Sequence, residues 1–162
     1  MITYATFDDL FELDELAEKV ITHMKESKIP QWELNYPRYE HFEKDVINKA
    51  LIIYKDENKI VGCMAILPEN DPPYRTITSW KKEYSIVIHR VLVDPMVQKK
   101  GIAKQLLDFA KQYGKQYGYE SIKIDTHLDN YKMRRFLEKN GFIEGDYIEV
   151  MDRIAYEYIL ED

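Results

Sequence analysis

The chain has a single cysteine, Cys63, among 162 residues. No internal disulfide can form, and no cysteine-based metal site is expected. Cys63 lies in an apolar stretch and reads as a small buried hydrophobe. No apolar run approaches the roughly 20 residues that cross a bilayer as a helix. The opening residues, Met1 to Asp9, lack a basic segment followed by an apolar one, so no signal peptide is expected. An excess of positive charge is also missing. The formal net charge is −6, which argues against a broad nucleic-acid-binding surface. Internal repeats and low-complexity segments are absent. So are the two commonest phosphate motifs, G-x-x-x-x-G-K-[ST] and G-x-G-x-x-G. What remains is the expectation of a soluble, cytoplasmic chain, residues 1–162 forming one domain with a sizeable core and neither membrane nor nucleic acid as partner.

The best-marked stretch runs from Tyr84 to Ala110. Ser85 to Val93 is rich in β-branched residues and of strand length. Asp94-Pro95 ends it, because proline lacks the N–H that a central strand needs. From Ile102, the residues Ile102, Leu106, Phe109, Ala110, Tyr113 and Tyr117 fall at helical spacing. Between strand and helix lies Gln98-Lys99-Lys100-Gly101-Ile102-Ala103. A helix leaves its first N–H groups unpaired, at the positive end of its dipole. Gly101 and Ala103 carry little or no side chain, so an anion can approach the backbone, and Lys99, Lys100 and Lys104 add positive charge. Together they describe a pyrophosphate cradle.

The rest of the chain reads in order. Ile2 to Ala5 is a short strand. Thr6 and Asp9 form a capping-box-like start to a helix with the stripe Leu10, Leu13, Ala17, Val20, Ile21 and Met24, ending near Ser27 before Ile29-Pro30. Gln31 to Pro37 is an aromatic-bearing loop. Pro37 opens a second helix with Phe42, Val46 and Ile47 inward. Leu51 to Tyr54 and Ile60 to Leu67 form a hairpin across Asp56–Lys59. Pro68 to Lys82 is longer than an ordinary hairpin connection. In it, Tyr74 and Trp80 either line a pocket or cap an edge of the core. Gly118 is a C-cap. Ser121 to Asp125 is a strand, Asn130 to Asn140 a helix ended by Gly141, and Phe142 to Glu149 with Arg153 to Leu160 an antiparallel pair. The closing pair offers an edge that suits a homodimer.

V-x-V-D-P-x-x-Q-x-x-G-I-A followed by an amphipathic helix resembles the acetyl-CoA signature [RQ]-x-x-G-x-[GA] of the GNAT N-acetyltransferase superfamily, matched at Gln98, Gly101 and Ala103. A second block, Asn130 followed by F-L-E-K-N-G-F at Phe136 to Phe142, is similar to the superfamily's N-x-x-[AM]-x-x-x-[YL]-x-K-x-G-F. With flanking elements the resemblance covers nearly the whole chain. It implies the GNAT α/β fold: a mixed, mostly antiparallel central sheet of about seven strands with helices on both faces, in the order β-α-α-β-β-β-α-β-α-β-β. It implies that the strands holding Val91 and Ile124 splay to admit the pantetheine arm of acetyl-CoA. The implied activity is transfer of an acetyl group from acetyl-CoA, as cosubstrate, to a primary amine of a small molecule or peptide, by direct attack through a tetrahedral intermediate. No metal is required. The implied cofactor-binding residues are Val91, Leu92, Val93, Gln98, Lys99, Lys100, Gly101, Ile102, Ala103 and Asn130.

Such chemistry needs a base for the attacking amine and a donor for the oxyanion, which a backbone N–H on Val91–Val93 supplies. Strand alternation puts Val87, His89, Val91 and Val93 on one face and Ile88, Arg90 and Leu92 on the other. The resemblance places a His or Glu on the acceptor-facing side of this strand. Counting back from Gln98, His89 has that parity, and its ordinary pKa suits a general base. The other reading is a structural histidine. Arg90 is expected to pair with a carboxylate such as Asp125. Asn130 either touches the cofactor or caps its helix. His127 either faces the thioester or is an exposed loop histidine. Leu137 stands where many members carry a tyrosine as general acid, and Tyr131 is the nearby substitute. A coenzyme A thiol can also leave without an acid. Trp32, Tyr36, Tyr74 and Trp80 are the aromatic candidates for the acceptor pocket, suited to an apolar or cationic acceptor. The alternative function is a non-catalytic acyl-CoA-binding or sensing module on the same fold.

Overall fold

The computed structural model describes residues 1–29, 36–69, 72–97, 101–149 and 152–160. In chain order the elements are β1 (Ile2–Tyr4), α1 (Leu10–Glu26), α2 (Tyr39–Ile47), β2 (Leu51–Asp56), β3 (Lys59–Pro68), β4 (Ser85–Val93), α3 (Ile102–Gln116), β5 (Ser121–His127), α4 (Tyr131–Lys139), β6 (Ile143–Ile148) and β7 (Arg153–Ile159). Short 3-10 helices at Phe7–Asp9 and Pro72–Thr76 complete the set. This is the expected order of helices and strands. The strands form a seven-stranded mixed sheet, β1-β2-β3-β4-β5-β7-β6. The chain resolves into two compact units, residues 1–66 with 89–109 and residues 67–88 with 110–162. The crossings fall inside β3, β4 and α3.

In the first unit β1 pairs antiparallel with β2, and β2 with β3. Glu57 and Asn58 turn the β2–β3 hairpin with φ of 52° and 66°, the pair of positive angles that a two-residue type I′ turn requires. Five of the six residues in the helix stripe read from sequence, Leu10, Leu13, Ala17, Val20 and Ile21, are in the core with Leu16, while Met24 is only partly buried against it; they pack with Phe42, Leu51, Ile53, Cys63, Ala65 and Leu92. Each Leu, Ile, Val or Phe among them contributes about 1.5–3 kcal/mol when fully buried. Asp9 reaches back to the Thr6 N–H at 2.8 Å, as the capping pattern predicts. Helix α2 starts two residues beyond Pro37, at Tyr39, because Asp14 on α1 organises its first turn. Asp14 accepts from Arg38 Nε at 2.8 Å, Arg38 Nη2 at 2.9 Å and the Tyr39 N–H at 2.9 Å. Ile47, expected inward, is 62% exposed. It is the last residue of a nine-residue helix, past the turn that faces the core.

Gly62 on β3 faces α3. A Cβ there would lie 2.9 Å from Ile102 Cγ2 and 3.3 Å from the Leu92 carbonyl. Its neighbour Cys63 packs in the cluster with α1 and α2. By strand alternation, helices therefore cover both faces of β3, and the missing side chain lets the first turn of α3 lie close to the strand.

In the second unit β4 runs parallel to β5 over a short register, Ser85–Val87 against Ser121–Lys123, although β4 extends to Val93 and β5 to His127. β5 pairs antiparallel with β7 from Ser121 to His127, and β7 with β6. Gly118 and Gly141 end α3 and α4 with φ of 76° and 89°. The Tyr119 N–H reaches the Gly114 carbonyl at 2.9 Å, and the Phe142 N–H reaches Leu137 at 3.0 Å. Both are the glycine C-caps read from sequence.

The long β3–β4 connection is tied down by carboxylates. Asp146 Oδ2 accepts from the Thr78 and Ser79 N–H groups, both at 3.1 Å. Glu157 accepts from Lys81 N–H at 2.7 Å and Lys82 N–H at 3.2 Å. Tyr74 is 1% exposed and packs with Ile77, Val87, Ile148, Ala155 and Trp80. Its hydroxyl bonds to Asp125, and its carbonyl accepts from Trp80 Nε1 at 2.9 Å. Tyr74 is therefore a core residue and not a pocket wall. Trp80 lies half-buried against the same cluster, with Lys123 Nζ 4.9 Å above its ring.

Candidate active site

The first unit builds the strand end, the turn and the helix start that the signature spans. The Asp94 N–H closes on the Val61 carbonyl at 2.8 Å, so the chain leaves β4 from a fixed point. Asp94 Oδ1 accepts from the Met96 N–H at 2.8 Å, an Asx-type turn, and Oδ2 pairs with Lys19 of α1 at 3.0 Å. Asp94 is 1% exposed. Burial pushes its carboxyl up, but the Met96 N–H and the Lys19 ammonium outweigh burial and hold it below the usual carboxylate range. Sequence reasoning used Asp94 only as a strand stop. Its Asp-Pro context was the available signal for the turn.

Gln98, Lys99, Lys100 and Trp32 lie outside the described residues. Gly101 stands at φ 87°, and among the described residues nothing lies within 4 Å of where a Cβ would be. The backbone angle, and not crowding, demands glycine here, and the space beside it is open. The first bond inside α3 runs from the Gln105 N–H to the Gly101 carbonyl at 2.8 Å. The N–H groups of the preceding turn then lie ahead of it. No acidic side chain occupies that turn. Ile102 is buried beside Gly62, so its side chain serves packing and only its backbone faces the helix end. An open, glycine-lined helix start free of carboxylates fits a pyrophosphate.

Upstream, the alternation assumed for β4 is interrupted. Arg90 has φ 52°, a left-handed angle within a strand. Arg90 and Leu92 face α2 and α1: Arg90 grips Asp45, and Leu92 joins the α1 cluster. The parity count from Gln98 to His89 passes through this turn, so the count does not orient His89, which is half-buried. The structural role expected for Arg90 is present, with a different partner. Its guanidinium binds Asp45 through Nε–Oδ2 at 2.5 Å and Nη2–Oδ1 at 2.6 Å, and Nη1 donates to Tyr36 Oη at 2.9 Å. Asp125 instead binds Arg153 and Tyr74. Burial alone would lower the Arg90 pKa, but the Asp45 carboxylate raises it, so the guanidinium stays charged. Tyr36 also meets the His41 ring edge-on at 4.5 Å.

In the second unit Asn130 caps α4, its Oδ1 accepting from the Met133 N–H at 3.2 Å. Tyr131, the first residue of α4, is exposed, and its ring lies 5.9 Å from the Arg134 guanidinium carbon. Leu137 is buried in the core. His127 closes β5. Its Nδ1 accepts from the Asp129 N–H at 3.1 Å and its Nε2 lies 3.1 Å from Asp152 Oδ2, so both ring nitrogens have local partners. Asp152 also receives the Tyr147 hydroxyl.

This order of elements, with a parallel β4–β5 step in an otherwise antiparallel set of described pairings and a glycine-opened helix after β4, is that of the GNAT α/β fold. Residues 14–142 match the Acetyltransferase (GNAT) family, and the chain belongs to it. Human N-acetyltransferase 8 is 27% identical over 90 residues, which span 56% of this chain and 37% of that protein. The structure of a GNAT-family acetyltransferase from Streptococcus agalactiae 2603 superposes with a TM-score of 0.87 at 20% identity, covering 100% of this chain and 96% of that one. The PaiA N-acetyltransferase of Thermoplasma acidophilum, solved in complex with coenzyme A, gives 0.76 at 17% identity, with 98% of each chain covered. Among the described residues no helix is long and apolar enough to cross a membrane.

Proposed function

We propose that this chain transfers an acetyl group from acetyl-CoA directly to a primary amine of a small molecule or peptide. The observation that carries the reading is Gly101, at φ 87° at the start of α3, with no atom of the described residues within 4 Å of an added Cβ. There the backbone N–H groups of Ile102 and Ala103, with the side chains of Gln98, Lys99 and Lys100, would hold the pyrophosphate. When bound, acetyl-CoA supplies an activated acetyl thioester. A backbone N–H on Val91–Val93 would meet the negative charge that develops on the acyl oxygen. His89 takes the proton of the attacking amine, directly or through water. Asn130 is a further cofactor contact in addition to its cap, and Tyr131 is the remaining candidate for protonating the thiolate.

A second reading keeps acyl-CoA binding and drops transfer. It is favoured by Leu137, an apolar core residue at the position where many relatives carry a catalytic tyrosine. Calorimetry with acetyl-CoA on wild type and Gly101→Glu tests the binding site. Thiol release across a panel of amines, with His89→Ala as control, separates the two readings. Tight wild-type binding lost in a folded Gly101→Glu, together with amine-dependent thiol release, is the expected result. Binding without any amine-dependent release selects the second reading, and absence of binding overturns both.

A further inference from the structure

Arg90 is the one described residue of β4 with a left-handed backbone angle. A long side chain rarely adopts such an angle, and it persists only where the surroundings over-determine it. Here the surroundings act at both ends of the residue. The two guanidinium bonds to Asp45, at 2.5 and 2.6 Å, fix the plane as well as the place of the side chain. Tyr36 Oη takes the remaining edge at 2.9 Å. On the backbone side, the Arg90 carbonyl accepts from Cys63 Sγ of β3 at 3.5 Å. Asp45 is 2% exposed and belongs to α2. The side chain is thus fixed to α2, the main chain to β3, and the direction in which β4 continues to Val91–Val93 follows from both.

A buried ion pair adds little stability over well-packed apolar side chains. What an arginine fork adds is direction. We propose that Arg90, with Asp45 and Tyr36, is a positioning set for acetyl transfer: the pair holds the turn within β4 that aims a backbone N–H of Val91–Val93 at the acyl oxygen. This rests on the acetyl-transfer reading. Arg90 touches no reacting atom and acts through the backbone that follows it. Its effect belongs to the transition state, where charge appears on that oxygen, and not to the affinity for acetyl-CoA.

The test compares wild type with Asp45→Asn, Arg90→Lys and Tyr36→Phe, in acetyl-CoA binding by calorimetry, in amine-dependent thiol release, and in hydrogen exchange at the Val91 amide. Asp45→Asn is expected to lower kcat about 10–100-fold while acetyl-CoA affinity stays within about threefold, and to speed exchange at Val91. Arg90→Lys keeps the charge without the fork and is expected not to restore kcat. Tyr36→Phe is expected to lower kcat severalfold in the same pattern. Wild-type kcat in a folded Asp45→Asn overturns the positioning role, as does a fall explained wholly by lost stability with kcat per folded molecule unchanged. Should Asp45→Asn not fold, an unchanged kcat in Tyr36→Phe overturns it instead. Failure of wild type to bind acetyl-CoA overturns the acetyl-transfer reading and this role together, whereas the other outcomes overturn this role alone.

Discussion

Lys19 on α1 and Asp94 at the end of β4 meet at 3.0 Å, with the carboxylate almost wholly buried and the ammonium partly in water. The same carboxylate holds the Met96 N–H. One side chain therefore closes the turn that leads toward Gly101 and ties that turn to α1. Asp94→Ala removes both bonds and is expected to cost about 2–4 kcal/mol in urea unfolding. Lys19→Met keeps the turn and is expected to cost about 1 kcal/mol or less. If the turn aims the helix start, acetyl-CoA affinity measured by calorimetry falls in Asp94→Ala and holds in Lys19→Met.

Gly101 and Gly118 make a matched pair. Both have left-handed φ, and among the described residues neither has an atom within 4 Å of an added Cβ. Alanine at either position is expected to cost about 1–2 kcal/mol of stability, from the backbone angle alone. Only Gly101→Ala is expected to weaken acetyl-CoA as well. Equal affinities in the two variants would remove Gly101 from the binding site.

Acid should loosen the first unit through Asp14 and Asp94. The bond to Arg38 holds the Asp14 carboxyl below its ordinary value, and Asp94 is held down by Met96 and Lys19 against burial. Both folded-state values lie below the unfolded value of about 3.9. The stabilisation is thus complete above that value and is lost as pH falls through the folded values. Urea midpoints between neutrality and acid should drop for wild type. The double variant Asp14→Asn with Asp94→Asn, less stable at neutrality, should show a flatter acid limb.

Cys63 is a probe of global unfolding. Burial pushes its thiol up to about 12, so almost no thiolate forms at neutrality, and the side chain is fully enclosed. A disulfide reagent is expected to modify it only after unfolding, at a rate that tracks urea-induced opening. Fast labelling of the native protein would show that the β3 core opens locally.

Overpacking at Gly62 should act on both stability and binding. Valine there would press on Ile102 Cγ2 and the Leu92 carbonyl and is expected to cost about 1–3 kcal/mol. Because Ile102 begins α3, calorimetry should also register weaker acetyl-CoA binding.

The sequence made legible whatever is local in period or in turn chemistry. The stripe from Leu10 to Ile21, the Thr6–Asp9 start of α1 and the glycine stops at Gly118 and Gly141 all follow from spacing and backbone angle. The partners of buried charges were not legible. Nothing near Arg90 in sequence distinguishes Asp45 from Asp125, because that choice is made by which helix packs over the strand. The left-handed angle at Arg90 carried no signal either, since a glycine would announce it and an arginine does not. For Tyr74 the sequence left two readings open, a pocket wall or a cap on the core, and the burial favours the second. Nothing in the sequence of the connection shows that its hydroxyl finds an acceptor in Asp125, which is what allows the ring to be buried.

The strap between β3 and β4 is held by carboxylates that bind main-chain N–H groups, at Thr78 and Ser79 from Asp146 and at Lys81 and Lys82 from Glu157. Every amino acid but proline offers such a group. The side chains of Lys81 and Lys82 can therefore diverge without loss of the anchor. That part of the strap is a place where new recognition chemistry can be grafted, by evolution or by design, while the strands beneath it keep their register.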